Sequence, residues 1–503
     1  MRIASLGGLA LLGSAPILAQ VPEEAAPARR GLVRSGPGAF QGYTLLAPLN
    51  SRTTYLLDMQ GEVVHRWQSS TSPGGGLYLL ENGHLLRLGR IDDAPRFHGG
   101  GIGGVIEELD WEGNVVWSFR QADDYQILHH DIELLPNGNV LAIAWEHRYR
   151  DDAIEWGRDP AQVGEEGMWP DALLEIRPTR PEGGEIVWEW HAWDHIVQDQ
   201  DAGRTNHGAV ADRPERIDIN ADHRDQPPLT QAQRRELEEL ERQMRALGYA
   251  GGDEPDAPAG SQQRDLSPDW LHTNAVDYLP EHDLIVLSTP RLCELWVIDH
   301  STTTEEAAWS SGGRFRRGGD LLWRWGNPRN YGCGSDADRR LFHQHNPEWI
   351  AGDQPGELRL LVFNNGRGRS DGDYSSVDEL VLPFDPAKGF LREPGQAFGP
   401  TQPAWTYQDK GTFYSAFISG AQRLPGGNTL ICSGAQGRVF EVTREGEVVW
   451  DFENPFGGDF MAPQNAGQSP AHALFRVTRV ALDHPGLAER DLAPGPFPPA
   501  TAR

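Results

Sequence analysis

The amino-acid sequence predicts an all-β fold, a six-bladed β-propeller with a helical insertion in one blade. Three observations predict it. An aromatic phrase recurs six times, Gly- and Pro-containing turns recur between β-rich runs, and 503 residues suit one large repeat-built domain. The phrase sets two mostly aliphatic residues before an aromatic, a variable residue and a second aromatic. Its copies are Val63-Val64-His65-Arg66-Trp67, Val115-Val116-Trp117-Ser118-Phe119, Ile186-Val187-Trp188-Glu189-Trp190, Leu321-Leu322-Trp323-Arg324-Trp325, Pro403-Ala404-Trp405-Thr406-Tyr407 and Val448-Val449-Trp450-Asp451-Phe452. The first copy has His65 where the others have Trp, and the fifth lacks two aliphatics.

Turns such as Asp58-Met59-Gln60-Gly61, Trp111-Glu112-Gly113-Asn114 and Arg444-Glu445-Gly446-Glu447 precede several copies, so each phrase closes a hairpin. A second turn follows most hairpins, as in Glu81-Asn82-Gly83-His84, Leu135-Pro136-Asn137-Gly138-Asn139, Leu279-Pro280-Glu281-His282-Asp283 and Leu424-Pro425-Gly426-Gly427-Asn428. Two hairpins make a four-stranded blade, and such units stack radially because none buries both faces alone. The aromatics therefore read as packing between sheets. The last phrase has no full sequel, while Gly42-Tyr43-Thr44-Leu45-Leu46 stands unpaired before the first, so the N-terminal segment is expected to close the ring.

The start of the chain, Met1-Arg2 and an apolar run through Leu18 to Ala19-Gln20, reads as a secretory signal. The expected organisation is a signal over 1–20, a flexible segment over 21–41, the propeller over 42–487 with an insertion over 196–269, and a tail over 488–503. The insertion is polar, Pro-rich and acidic apart from a helical run from Leu229 to Leu247, which Thr230 caps. It reads equally as a lid or rim element and as a solvated decoration. A periplasmic or secreted protein without a membrane span is expected. The three cysteines, Cys293, Cys333 and Cys432, allow one disulfide or none.

The formal charge of −28, from 73 acidic against 45 basic residues, argues against nucleic acid as a partner. An anionic substrate would need a local basic funnel, so arginines are expected around any pocket mouth. A homodimer is compatible with this composition.

Residues just ahead of innermost strands converge on the channel of a propeller. Here they include histidines: His129-His130-Asp131, Trp270-Leu271-His272-Thr273-Asn274 and Phe342-His343-Gln344-His345. Singly, each reads as an ordinary core or surface histidine; three at corresponding places read as a pocket. Such a cluster suits a transition metal, with Asp131 and Glu294 nearby, or direct nucleophilic and acid–base chemistry.

Those three phrases, with Trp325-Gly326-Asn327-Pro328 and Phe363-Asn364-Asn365-Gly366, resemble the bacterial aryl-sulfate sulfotransferase family over about Gly42 to Phe456. The resemblance implies a periplasmic six-bladed propeller that needs neither a cofactor nor the nucleotide sulfate donor PAPS. It implies transfer of a sulfuryl group from a phenolic sulfate ester to a phenol through a sulfated histidine. By the Gln-His motif His345 is that nucleophile, and His272, His130 and an arginine complete the pocket. The arginine is expected at Arg291, one place beyond the family's position in Leu287-Ser288-Thr289-Pro290-Arg291, where a one-residue shift on a strand reverses the side chain unless Pro290 makes a bulge. In the implied roles, His272 and Arg291 hold the sulfate oxygens and His130 deprotonates the acceptor, the two histidine roles being interchangeable. No Walker-type phosphate loop is present. The competing readings are a non-catalytic propeller that binds a partner on its rim, and a metal-dependent hydrolase or oxidoreductase using the same histidines.

Overall fold

Each aromatic phrase contributes a strand at or next to the edge of an antiparallel sheet: Val63–Gln68, Val115–Arg120, Gly184–His191, Trp323–Trp325, Trp405–Gln408 and Val448–Glu453. Strand alternation buries one tryptophan face between sheets, and Trp67, Trp117, Trp190, Trp323 and Trp450 are all buried. A buried indole N–H needs an acceptor. Each of these indoles, and that of half-buried Trp405, donates to a carbonyl in a turn of the next meander: Trp67 to Asp110 (3.1 Å), Trp117 to Gly183 (2.8 Å), Trp190 to Gly319 (2.8 Å), Trp323 to Gly399 (2.7 Å), Trp405 to Arg444 (2.8 Å) and Trp450 to Met59 (3.0 Å). His65, in the tryptophan place of the first copy, keeps the device with a 2.9 Å bond to the Trp111 carbonyl.

The computed structural model describes residues 30–49, 51–94, 96–224, 230–246, 250–251, 266–457 and 472–495. The expected signal over 1–20 lies outside them. The fold is all-β with a propeller-like arrangement of sheets. Three α-helices occur among the described residues, Arg150–Glu155, Gln231–Ala246 and Thr304–Ala307. One eight-stranded sheet consists of two antiparallel meanders joined at a single parallel pair, His130 with Gly75. A Cβ on Gly75 would lie 1.5 Å from the His130 carbonyl oxygen, so the approach there requires glycine.

The ends of the chain depart from expectation. The closure assigned to the N-terminal segment is shared, because Gly42–Pro48 pairs with Leu474–Ala481, a strand from the far end of the chain. Within the supposed flexible segment, Gly31–Ser35 forms a fifth strand on Val448–Glu453. Arg476, on the closing strand, grips buried Asp131 through two 2.7 Å bonds and thereby ties chain end to ring interior.

The insertion also differs from a uniformly solvated segment. Ile196–Val197 pairs in parallel with Ile217–Asp218, and Ile196, Val197, Val210, Ile217 and Ile219 are buried between sheets. A few apolar residues thus seat a stretch that is polar on average. The helix Gln231–Ala246 forms as read, with Thr230 Oγ1 accepting from the Gln233 N–H and Gln233 Oε1 accepting from the Thr230 N–H. Leu229 and Leu247 lie outside the described residues. Cys293, Cys333 and Cys432 are free thiols.

If the indole bonds hold neighbouring sheets together, Trp450→Phe, which keeps the ring and removes the N–H bonded to Met59, lowers stability by about 1–3 kcal/mol in urea unfolding.

Candidate functional site

Left-handed backbone at the pocket residues turns the side chains of a β-fold inward. His130, His272 and His343 have φ of 56°, 56° and 60°, and Asn346 has 48°. Non-glycine residues in this region carry strain of about 1–3 kcal/mol each, which the surrounding structure must hold. His130 sits where the register of Gln126–Leu134 breaks between Leu128 and Ile132, with its N–H on the Gly101 carbonyl at 2.7 Å. His272 precedes Ala275–Leu279, and His345 opens His345–Ile350. Asn274 Nδ2 donates to the Gln344 carbonyl at 2.9 Å, so two of the three sequence phrases are physically tied.

His129, His130 and His272 form a chain of imidazoles between two carboxylates. Asp269 Oδ2 accepts from His272 Nδ1 at 2.5 Å, His272 Nε2 meets His130 Nε2 at 3.1 Å, and His130 Nδ1 meets His129 Nδ1 at 2.6 Å. His129 Nε2 faces Asp171 Oδ1 at 3.3 Å, and Asp171 Oδ2 also accepts the Thr273 N–H. Burial opposes charge on Asp269, but the His272 and Arg291 charges outweigh it and hold the carboxyl well below its ordinary range. Burial, and then the neighbouring imidazoles, hold His130 well below its ordinary pKa, so it is neutral.

His345 is set apart from this chain. Its Nδ1 bonds Asn365 Oδ1 at 2.7 Å and the His343 carbonyl at 3.1 Å. Asn365 is oriented by its Nδ2, which donates to the Ser415 and Ile418 carbonyls, so its oxygen necessarily faces the histidine. Two acceptors at Nδ1 place the proton there and leave a lone pair on Nε2, a buried atom without a hydrogen-bond partner among the described residues. Burial pushes the His345 pKa down to about 3, keeping the ring neutral. Phe475 stands over both groups, its centroid 6.3 Å from the His130 ring and 6.4 Å from the His345 ring.

All four expected site residues lie in this region, though not alike. His130, His272 and His345 are gathered together. Arg291 is exposed and lies in the turn between Leu284–Thr289 and Glu294–Asp299, 3.5 Å from Asp269 Oδ2 and 3.3 Å from Ser267 Oγ. The concern about strand face does not apply, because Pro290 begins a turn and ends the strand. Burial, followed by the charges of Arg367, Arg339 and Arg291, lowers the His343 pKa well below its ordinary value. The carboxylates once counted towards a metal are otherwise engaged: Asp131 by Arg476, and Glu294 by Arg324 at 2.5 Å and Trp296 at 2.6 Å. Among the described residues no group of three or more His, Cys, Asp or Glu side chains is arranged to hold a metal ion.

Sequence reasoning missed the roles of Asp269, Asp171, His129, Asn365 and Phe475. Asp269, three residues before His272, and the Asn364-Asn365 doublet were visible signals. Phe475 and Asp171 carried none.

The Arylsulfotransferase (ASST) family model matches residues 42–388. The chain belongs to the arylsulfotransferase family. No curated protein matches it. Among solved structures, this arylsulfotransferase-family chain is 10% identical to a protein of unknown function from Bacteroides caccae (TM-score 0.40; 88% of this chain and 99% of that one covered). It is also 10% identical to the periplasmic gluconolactonase PpgL of Pseudomonas aeruginosa (TM-score 0.39; 88% and 99% covered).

Two outcomes follow from the geometry. A Cβ on Gly101, whose φ is +80°, would lie 2.1 Å from His130 Nε2, so Gly101→Ala displaces that ring and lowers stability by about 1–3 kcal/mol in urea unfolding. His345 titrates near 3 when folded and near 6.5 when unfolded, so the unfolded chain binds the extra proton between these values and stability falls as pH is lowered through them. Across pH 6 to 4, wild type should lose stability more steeply than His345→Gln by about 1.4 kcal/mol per pH unit, read from urea midpoints.

Proposed function

We propose that this protein is an exported, PAPS-independent aryl sulfotransferase that carries a sulfuryl group from a phenolic sulfate ester to a phenol on His345. The carrying observation is the Nε2 lone pair of His345, without a hydrogen-bond partner among the described residues and held in one tautomer by Asn365. Membership of the arylsulfotransferase family supports the reaction class. A six-bladed ring is part of the proposal. It is supported by the indole bonds, which run from meander to meander and return from Trp450 to Met59, and by the lone parallel pair that divides the eight-stranded sheet. Among the described residues no helix is long and apolar enough to cross a membrane, and the N-terminal sequence supports export.

In the first half-reaction His345 Nε2 attacks sulfur, the N–S bond forms, and the aryl C–O–S linkage breaks at its O–S bond. The departing phenolate takes a proton from the His272–His130 pair. In the second, the same pair removes the proton of the acceptor phenol, whose oxygen attacks sulfur and restores His345. Transfer of this kind spreads charge over three equatorial oxygens, so positioning and cationic donors dominate the catalysis. His272 and Arg291 supply such donors, and the arginines at the mouth draw an anion towards a chain of net charge −28. Asp269 orients His272, and Asn365 orients His345; both act through the histidine they hold. Asn365 also offers an acceptor to the Nδ1–H as positive charge builds on the sulfated ring.

The test is release of a chromogenic phenol from its sulfate ester by purified protein in buffer containing a chelator. Release that accelerates with added phenol, and falls by roughly 10³-fold or more in His345→Ala, is the expected result. Full activity in that variant, or none in wild type with any acceptor, overturns the proposal.

A further inference from the structure

The helix Gln231–Ala246 belongs to no repeat, yet it lies against the histidine site. Its polar surface is interrupted by one stripe, Leu237, Leu240 and Met244, at helical spacing. Leu240 is 8% exposed and packs with Leu49, Phe417, Ile418, Ala473 and Phe475, while Met244 rests on the same cluster. Phe475 is the ring that stands over His130 and His345. Beyond the helix, Ala250–Gly251 pairs with Gly99–Gly100, next to the glycine that backs His130. On the helix's earlier turns, Glu236 lies within electrostatic range of Arg367 and Tyr414, and Arg367 bonds His343 at 3.1 Å. The segment therefore adjoins three groups that themselves border the histidines: Phe475, the Gly99–Gly101 stretch and Arg367.

With the helix seated, His345 is 4% exposed and His130 is fully buried. A sulfate ester carries its aromatic ring with it, so this arrangement admits no substrate to Nε2 unless a wall moves. The other walls include strands of hydrogen-bonded sheets, interrupted locally between Leu128 and Ile132 and between His345 and Glu348. From the core side the helix is held by few apolar contacts, those of Leu240 with Met244 beside it, as befits an element that can open locally.

We propose that the helix Gln231–Ala246 is a displaceable cover over the histidines, anchored by Leu240, and that Leu240 and Met244 select the aromatic group of the substrate by size. The size selection rests on the sulfuryl-transfer reading; the cover does not. Once the helix lifts, the aryl ring enters between its apolar stripe and Phe475, leaving the sulfate at His345. Polar residues on the outer face of the helix stay in water in both positions, so the movement exposes little besides the stripe.

The cover is tested without turnover, by the rate at which diethyl pyrocarbonate acylates His345, followed by peptide mass spectrometry. Leu240→Ala should raise that rate about tenfold or more, because the anchor loses most of its contacts; equal rates in the variant and wild type overturn the cover. Should the variant fail to fold, hydrogen exchange on wild type decides. The helix amides should exchange well ahead of the flanking sheets and slow when 4-nitrophenyl sulfate is added, whereas sheet-like protection throughout overturns it. For selection, Leu240→Ala should shift the kcat/KM ratio of 2-naphthol over phenol upward by about tenfold, and an unchanged ratio refutes that role. Wild type that transfers nothing counts against the sulfuryl-transfer reading, and the acylation rates still judge the cover.

Discussion

An indole N–H pointed at the turn of the next meander is the interaction on which the remainder of this structure depends. Repeated from Trp67 to Asp110 onward, and returned from Trp450 to Met59, it converts separate meanders into one closed arrangement. Each meander exposes apolar faces that its neighbour must cover, and the tryptophan does both tasks, filling the gap and satisfying its own polar atom. The pairing of Gly42–Pro48 with Leu474–Ala481 closes the same arrangement through the backbone, and the Arg476–Asp131 pair carries that closure inward.

Such a frame can hold strain. Left-handed histidines at 130, 272 and 343 would relax in a loose loop; here they are pinned by Gly101, by Asp269 and by Arg367. The result is a division of labour among imidazoles. Those from 129, 130 and 272 are linked to one another and to carboxylates, an arrangement suited to lending and taking back a proton. His345 is neutral and, among the described residues, hydrogen-bonded on one nitrogen alone and to no carboxylate, an arrangement suited to donating an electron pair. The two environments push the groups towards different chemistry.

The repeat was legible because its physics is local: a tryptophan that recurs behind a turn announces the same packing each time. The converging histidines were legible for the same reason, since their position before an inner strand can be read from the turn that follows. What sequence concealed was anything decided across the chain. The strand Gly31–Ser35 takes its pattern from Val448–Glu453, so nothing in its own residues marks it. The stretch around Ile196 and Ile217 is polar on average, and its few apolar residues matter only because they meet between sheets. Arg291 was read as a residue on a strand, although Pro290 is where the strand ends and the turn begins. The partner of His345 came from Asn365, a neighbour whose doublet was noticed without its function, because which oxygen faces which nitrogen depends on the Ser415 and Ile418 carbonyls.

The central claim is that one nitrogen, His345 Nε2, carries the group in transit. The most direct measurement is to mix purified protein with an aryl sulfate in the absence of any phenol acceptor, quench in base, and locate the sulfuryl adduct by tandem mass spectrometry. The account predicts a single adduct on His345 that disappears when a phenol is added before the quench. An adduct on another residue, or sustained turnover with no protein adduct at any time, would contradict it.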